Sequence, residues 1–76
     1  MTKDKLIQIV EDLKAKQKIM RKVLKNETLL ESRATIERQI KNINSVCDRL
    51  VFNWNMLPAS QSFFDNTVAE AELHLN

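Results

Sequence analysis

The chain has 76 residues, a formal net charge of +2 and 43% hydrophobic residues, with no glycine, one proline and one cysteine. A chain of this length forms one domain, residues 1–76, and its hydrophobic content excludes a disordered tail. The lack of glycine argues against nucleotide-binding loops and hairpin-rich sheets, because tight turns with positive φ usually need glycine. The composition therefore predicts an all-α protein of long helices joined by short polar breaks.

Residues 3–25 are predicted to form the first helix. Its apolar positions alternate in steps of four and three, the spacing by which a helix presents one stripe, or seam, to a neighbouring helix. Gln17 is the polar position of this seam, and we expect it to set the register against a polar partner. The seam consists of Leu6, Val10, Leu13, Gln17, Met20 and Leu24.

A break is predicted at Asn26-Glu27. Asn tolerates the left-handed conformation that ends a helix, and Thr28 with Glu31 fits a capping box at the start of the next one. One unbroken helix is the alternative, since neither Gly nor Pro interrupts the chain here. The phase of the pattern favours the break: continuing the first heptad places Glu27 and Glu31 on the seam, whereas the apolar pattern restarts at Leu29.

The second helix is predicted for residues 28–57 and has the strongest pattern in the chain. Pro58 is expected to end it, because a proline disfavours helical geometry in the residue before it. Folding this helix back on the first gives a long antiparallel hairpin with Gln17 near Ile36. The seam consists of Leu29, Arg33, Ile36, Ile40, Ile43, Cys47, Leu50, Trp54 and Leu57.

A short third helix is predicted for residues 63–74, capped by Ser62 with Asp65 in the capping-box position. At a rise of ~1.5 Å per residue it is about 18 Å long, against about 34 Å for the first helix. It cannot cover the whole groove of the hairpin, so we expect oligomerisation or a partner to complete the fold. Its apolar face consists of Phe64, Val68, Ala71 and Leu75.

The second helix is predicted to overhang the first by two to three turns, because Leu6 then lies near Cys47. This end of the chain holds all three phenylalanines and the only tryptophan. Two interpretations remain open: the third helix folds back to form a local aromatic core, or the aromatic end binds a partner. The candidate partner-binding residues are Leu50, Phe52, Trp54, Leu57, Phe63 and Phe64.

A second candidate surface is basic. Residues 14–25 contain six Lys or Arg and no acidic residue. Such a cluster is either a solvated face that suits a helix C-terminus or a site for phosphates or an acidic protein. Nucleic acid is the less favoured partner, since the cluster lacks interleaved aromatic residues and a glycine-rich loop. The candidate polyanion-binding residues, which share one helix face, are Lys14, Lys18, Arg21 and Lys25.

The segment after Pro58 has the opposite charge. It contains Asp65, Glu70 and Glu72 and no Lys or Arg. In a dimer it would therefore neutralise part of the basic cluster.

No catalytic, cofactor-binding or metal site is predicted. Cys47 has no second cysteine and no nearby histidine, and neither it nor His74 has the spacing of a metal-ligand pair. The chain lacks a run of about 18 apolar residues and a basic-then-apolar leader, so we expect a cytoplasmic protein without a membrane span. The predicted function is a protein-binding module, namely an adaptor, chaperone or inhibitor that packs against itself or another protein. A small nucleic-acid-associated regulator is the alternative.

Overall fold

The computed structural model describes all 76 residues and contains three helices and no strand. Helix α1 spans Lys3–Asn26, α2 spans Leu30–Asn55 and α3 spans Gln61–Leu75. The helices α1 and α2 pack together as a hairpin, and the shorter α3 packs against both of them. The predicted all-α hairpin with a short third helix is therefore confirmed, while its completion by a second copy or a partner stays a prediction.

The molecule is elongated, with dimensions of 45 × 19 × 18 Å. None of its three helices combines the length and apolar character needed to cross a membrane. The single cysteine, Cys47, is free and buried, so no disulfide links the helices. Side-chain packing between the helices holds the interior together.

The turn between α1 and α2 differs from the predicted capping box of Thr28 and Glu31. The helix α2 begins at Leu30. Its N-cap residue is therefore Leu29, whose side chain cannot form a capping hydrogen bond. Instead the Glu27 carboxylate accepts the backbone N–H groups of Thr28 and Leu29, each at 3.0 Å. A carboxylate is a stronger acceptor than a hydroxyl and also suits the positive end of a helix dipole, so Glu27 replaces the predicted cap.

The turn between α2 and α3 also differs from prediction. The helix α2 ends at Asn55, so Pro58 lies inside the turn and not directly after the helix. Ser62 lies within α3, and its predicted capping role is wrong. The hydroxyl of Ser60 donates to the backbone carbonyl of Asn53, which attaches the turn to the end of α2. A serine that bonds back to the preceding helix thus positions the start of α3.

The register of the hairpin follows the buried side chain of Gln17. Its amide Nε2 donates to the backbone carbonyl of Ile40 at 3.0 Å and to the side-chain oxygen of Asn44 at 2.5 Å. Gln17 thus lies one helical turn further along α2 than its predicted position near Ile36. A buried amide must be hydrogen-bonded, and Asn44 supplies a side-chain acceptor that Ile36 lacks. The apolar pattern alone could not distinguish two registers one turn apart.

The tip of the hairpin is closed by Arg33. Its guanidinium donates to the backbone carbonyls of Leu24 and Glu27, at 2.8 and 3.0 Å. Leu24 belongs to the last turn of α1, whose carbonyls lack partners within the helix. Arg33 therefore stabilises the end of α1 from the neighbouring helix.

The core lies at the end of the hairpin where α3 packs. The C-terminal end of α3 is held by Lys16, whose ammonium donates to the backbone carbonyl of His74. We call the two-helix part beyond this point, residues 16–41, the arm, and the remaining residues the three-helix end. The core cluster consists of Leu6, Ile9, Leu13, Ile43, Val46, Cys47, Leu50, Phe64 and Ala71.

We expect Gln17→Ala to lower the free energy of unfolding by about 1–3 kcal/mol, because it removes two hydrogen bonds and leaves a space between α1 and α2. Gln17→Met keeps most of the side-chain volume and should cost less than Gln17→Ala. Urea unfolding followed by circular dichroism measures both variants. An Ala variant as stable as the natural chain would contradict the buried position of Gln17.

Candidate protein-binding site

The six residues predicted to bind a partner lie in different environments. Leu50 on α2 is fully buried and Phe64 on α3 is only 2% exposed, because both belong to the core that forms where α3 packs against the hairpin. Trp54 and Leu57 are half-buried against the same core. Phe52 and Phe63 are 64% and 70% exposed. The exposed aromatic surface is therefore smaller than the predicted set.

Trp54 and Phe64 form the aromatic contact between α2 and α3. Their ring centroids are 5.8 Å apart and the rings are inclined by 54°, an arrangement that aromatic pairs favour. Together with Met1 and Leu57 they line a cavity of about 250 Å³ that is open on one side. Met1 reaches this cavity because the register brings the start of α1 level with the end of α2. The predicted overhang of α2 is consequently absent, and a local aromatic core takes its place.

Phe52 and Phe63 lie on the outside of the same end and line one depression of about 340 Å³ between α2 and α3. We call this surface the aromatic patch. Single exposed apolar residues are normal on protein surfaces, but two phenylalanines inside a polar rim have the anatomy of a protein interface. The other residues lining the depression are Arg49, Asn53, Asn66, Thr67 and Glu70.

Two polar contacts fix the helices on either side of the aromatic patch. Arg49 donates to both carboxylate oxygens of Glu70, at 2.8 and 3.0 Å. Asn53 donates from its amide to the Thr67 hydroxyl at 3.3 Å in a buried position. The hydrogen bonds and charge of Arg49 lower the pKa of the Glu70 carboxyl. Because these contacts hold α2 and α3 together, a partner would meet a preformed surface and lose less entropy on binding.

The predicted basic residues share one exposed face of α1. Lys14, Lys18, Arg21 and Lys25 are all exposed. None of them forms an ion pair, since Arg49–Glu70 is the one salt bridge of the chain. We call these four residues the basic face. Their charges are available to an anionic partner.

The unequal distribution of charge extends beyond the basic face. The arm contains eight Lys or Arg and three acidic residues, giving a net charge of +5. The three-helix end contains four Lys or Arg and seven acidic residues, giving −3. The packing of α3 against the hairpin therefore leaves a basic two-helix arm joined to an acidic three-helix end.

Sequence reasoning missed the exposed apolar residues of the arm. Ile19 and Val23 are 63% and 50% exposed, and Leu29 and Leu30 at the tip are also exposed. The signal was present in the sequence: Ile19 and Val23 are four residues apart, beside the seam and not on it. Their exposure follows from the end of α3 at Lys16, which hydrophobic periodicity does not reveal.

The one cysteine of the chain, Cys47, is free and lies in the core. Burial raises the pKa of the Cys47 thiol, although the charge of Lys14 acts in the opposite direction. The thiol is thus poorly suited to act as a nucleophile, which requires the thiolate. No three side chains of His, Cys, Asp or Glu lie close enough together to hold a metal ion.

We expect Glu70→Gln to destabilise the chain near pH 7 by less than about 1 kcal/mol, because both partners of the ion pair are nearly half exposed. The lowered pKa of Glu70 stabilises the fold above the unfolded pKa of about 4.3, and this contribution is lost as pH falls through the folded pKa. The difference between natural chain and variant should therefore shrink toward pH ~3. Urea unfolding at both pH values measures it, with Asp65→Asn as the control; a difference independent of pH would contradict the assignment.

No family model, curated protein or solved structure matches the chain. The chain exposes three distinctive surfaces: the aromatic patch, the basic face, and the side of the arm that α3 leaves open.

Proposed function

We propose that the chain is a small helical protein-binding module, an adaptor, chaperone or inhibitor, that binds a partner protein at the aromatic patch. The observation that carries this proposal is the contrast between two pairs of aromatic residues at one end of the molecule. Trp54 and Phe64 are packed against each other, whereas Phe52 and Phe63 line one exposed depression. Phe52 and Phe63 are 64% and 70% exposed and lie outside the core cluster, so folding of a single copy buries little of either side chain.

Burial of these two side chains supplies a useful part of a binding free energy. Covering a phenylalanine fully contributes about 1.5–3 kcal/mol, so the pair contributes roughly 3–6 kcal/mol before the entropy cost of association. The rim adds hydrogen-bonding groups, among them the Asn66 amide and the partly exposed Arg49–Glu70 pair. Apolar anchors inside a polar rim are the arrangement in which hot-spot residues bind strongly.

The shape of the depression favours a helical partner segment. It runs between α2 and α3, which are held together by the Arg49–Glu70 and Asn53–Thr67 contacts. Two packed helices present a groove into which the side chains of a third helix fit. A partner helix would thereby extend the three-helix end to four helices.

We expect the double change Phe52→Ser and Phe63→Ser to weaken partner binding at least ~10-fold, since each phenylalanine acts as an apolar anchor. The fold should be unaffected within about 0.5 kcal/mol, because both side chains are exposed. The measurement is crosslinking of the tagged chain in cells of its natural host, followed by mass spectrometry of captured proteins.

The matched control for this experiment is the double change Leu29→Ser and Leu30→Ser, which removes two exposed apolar side chains at the opposite end. A protein captured by the natural chain and the control, but lost with the patch variant, supports the proposal. Capture of the same proteins in the same amounts by all three chains would contradict it.

Polyanion binding at the basic face is the second candidate function. The observation that favours it is the absence of any acidic partner for Lys14, Lys18, Arg21 and Lys25. They recur in steps of four, three and four along α1, so their charges line up on one side of a rigid helix. Clustered charges of this kind attract nucleic acid in a sequence-independent, salt-dependent way.

If four phosphate contacts form, the logarithm of the affinity for duplex DNA should fall against the logarithm of salt concentration with a slope of about −3.6. Reversing all four charges to Glu should abolish this binding, while any protein association survives. Fluorescence anisotropy of labelled DNA and RNA oligonucleotides at low salt measures both effects. Failure of both nucleic acids to bind the natural chain would eliminate this candidate. The control variant reverses four charges elsewhere, at Lys3, Lys5, Arg38 and Lys41.

A further inference from the structure

One side of the arm continues the surface on which α3 packs, beyond the point where α3 ends. This side is uncovered and apolar. The helix α3 ends where Lys16 holds the carbonyl of His74. Ile19, Met20 and Val23 follow Lys16 at helical spacing, so they continue the face on which the end of α3 rests. Ile19 and Val23 are at least half exposed, and Met20 is half-buried. From Lys16 to the end of α1 this open strip is about 15 Å long.

The outer face of α3 carries a second, more polar stripe. Its members recur in steps of four, three and four and are all exposed, opposite the buried Phe64 and Ala71. Leu73, near the C-terminal end, is 76% exposed. Acidic residues, including Asp65 and Glu72, flank the stripe, and α3 has no Lys or Arg. The stripe consists of Ser62, Asn66, Ala69 and Leu73.

We propose that the open side of the arm is covered by α3 of a second copy of this chain. The two copies lie antiparallel about a two-fold axis, so each α3 rests between its own hairpin and the arm of the other copy. Such an interface is isologous: the same two surfaces meet twice, and the assembly closes as a dimer. The stripe on α3 adjoins the aromatic patch and shares Asn66 with it, but this proposal does not rest on the function proposed there.

The lengths of the elements fit this arrangement. Helix α3 has 15 residues and is therefore about 22 Å long. Two such helices placed end to end measure about 45 Å, which matches the 45 Å length of the molecule. Each copy thus covers with its own α3 the half that its partner leaves open. The C-terminal ends of the two α3 helices meet near the axis, which brings Leu73 close to its symmetry mate.

Charge selects this orientation over the alternatives. An antiparallel dimer sets the acidic three-helix end, at −3, beside the basic arm of the other copy, at +5. A parallel dimer would set the two arms side by side, and their like charges would repel.

The proposed interface is small, so we expect the dimer to be weak. The open strip of the arm, about 15 Å long, and the outer face of α3, about 22 Å long, give each copy a contact surface of about 37 × 10 Å. The dimer therefore buries roughly 740 Å² in total, which is below the size of stable complexes and marks a weak, transient association. The dimer therefore dissociates on dilution and weakens with added salt, since opposite charges on exposed surfaces are screened. Light scattering of the natural chain at low salt should show a concentration-dependent rise from monomer to dimer mass.

Crosslinking tests the arrangement directly. Leu73→Cys places an exposed thiol near the two-fold axis, and Leu30→Cys places an equally exposed thiol at the arm tip, far from its mate. The natural Cys47 is buried, so the unaltered chain serves as the blank. With a short bismaleimide at low salt, we expect covalent dimer to form at least ~10-fold faster with Leu73→Cys than with Leu30→Cys.

Each outcome decides the proposal. Fast crosslinking that is specific to Leu73→Cys, and is lost on adding Val23→Ser in the arm, supports it. Equal rates for the two cysteine variants, or a monomeric mass at every concentration, would overturn it. Phe52→Ser leaves the crosslinking rate unchanged, because Phe52 lies on α2 outside this interface. Loss of partner capture and loss of dimer formation can therefore be told apart.

Discussion

The side chain of Gln17 lies in the apolar contact between α1 and α2, where its amide has no access to water and must find acceptors on the neighbouring helix. It finds them at Ile40 and Asn44. This choice sets how far α2 extends beside α1. It brings the start of α1 level with the end of α2, so that Met1 and Trp54 border one cavity and Leu50 is enclosed. A slip of one turn would leave that end of α2 without α1 beside it.

The division of the molecule into two unlike halves follows from that register and from the length of α3. With the ends of α1 and α2 aligned, α3 starts at a common edge and covers the hairpin as far as Lys16. The Arg49–Glu70 pair and the Asn53–Thr67 hydrogen bond hold it there. The three-helix end has a shared core, whereas the arm has only the contact between two helices. Surfaces that could receive a partner exist because the covering helix is shorter than the hairpin.

The periodicity of apolar residues was sufficient to predict three helices, the hairpin and the short third element, because each seam repeats at the spacing of a helix facing a neighbour. The helix ends were less predictable. Glu27 and Ser60 lie outside the predicted capping motifs, yet their side chains form the hydrogen bonds to backbone groups at the two turns. Several polar side chains near a turn can form such bonds equally well, so the sequence does not show which one does. The register of α1 against α2 was not predictable from apolar residues, because two registers one turn apart give similar apolar contacts. The hydrogen-bond acceptors of the buried Gln17 amide distinguish them.

The position of the candidate binding surface in the molecule was predictable in part, but its individual residues were not. The concentration of aromatic residues near Pro58 correctly marked the end of the molecule where α2 and α3 meet. Composition could not separate Phe64, which packs against Trp54, from its neighbour Phe63, which faces solvent. That separation depends on the rotation of α3 about its axis, and this rotation is fixed by side-chain contacts with α2. The exposed Ile19 and Val23 were missed because they depend on the end of a helix distant in sequence.

The opposite charges of the arm and the three-helix end also give the molecule a permanent electric dipole along its long axis. In the field of another charged macromolecule such a dipole turns before any contact is made. An acidic surface would thus meet the tip of the hairpin first, and a basic surface would meet the turn at Pro58. Orientation before contact raises the rate of productive encounters more than it lengthens the life of the complex. The asymmetry of charge therefore bears on how quickly this chain would meet a charged macromolecule and in which orientation.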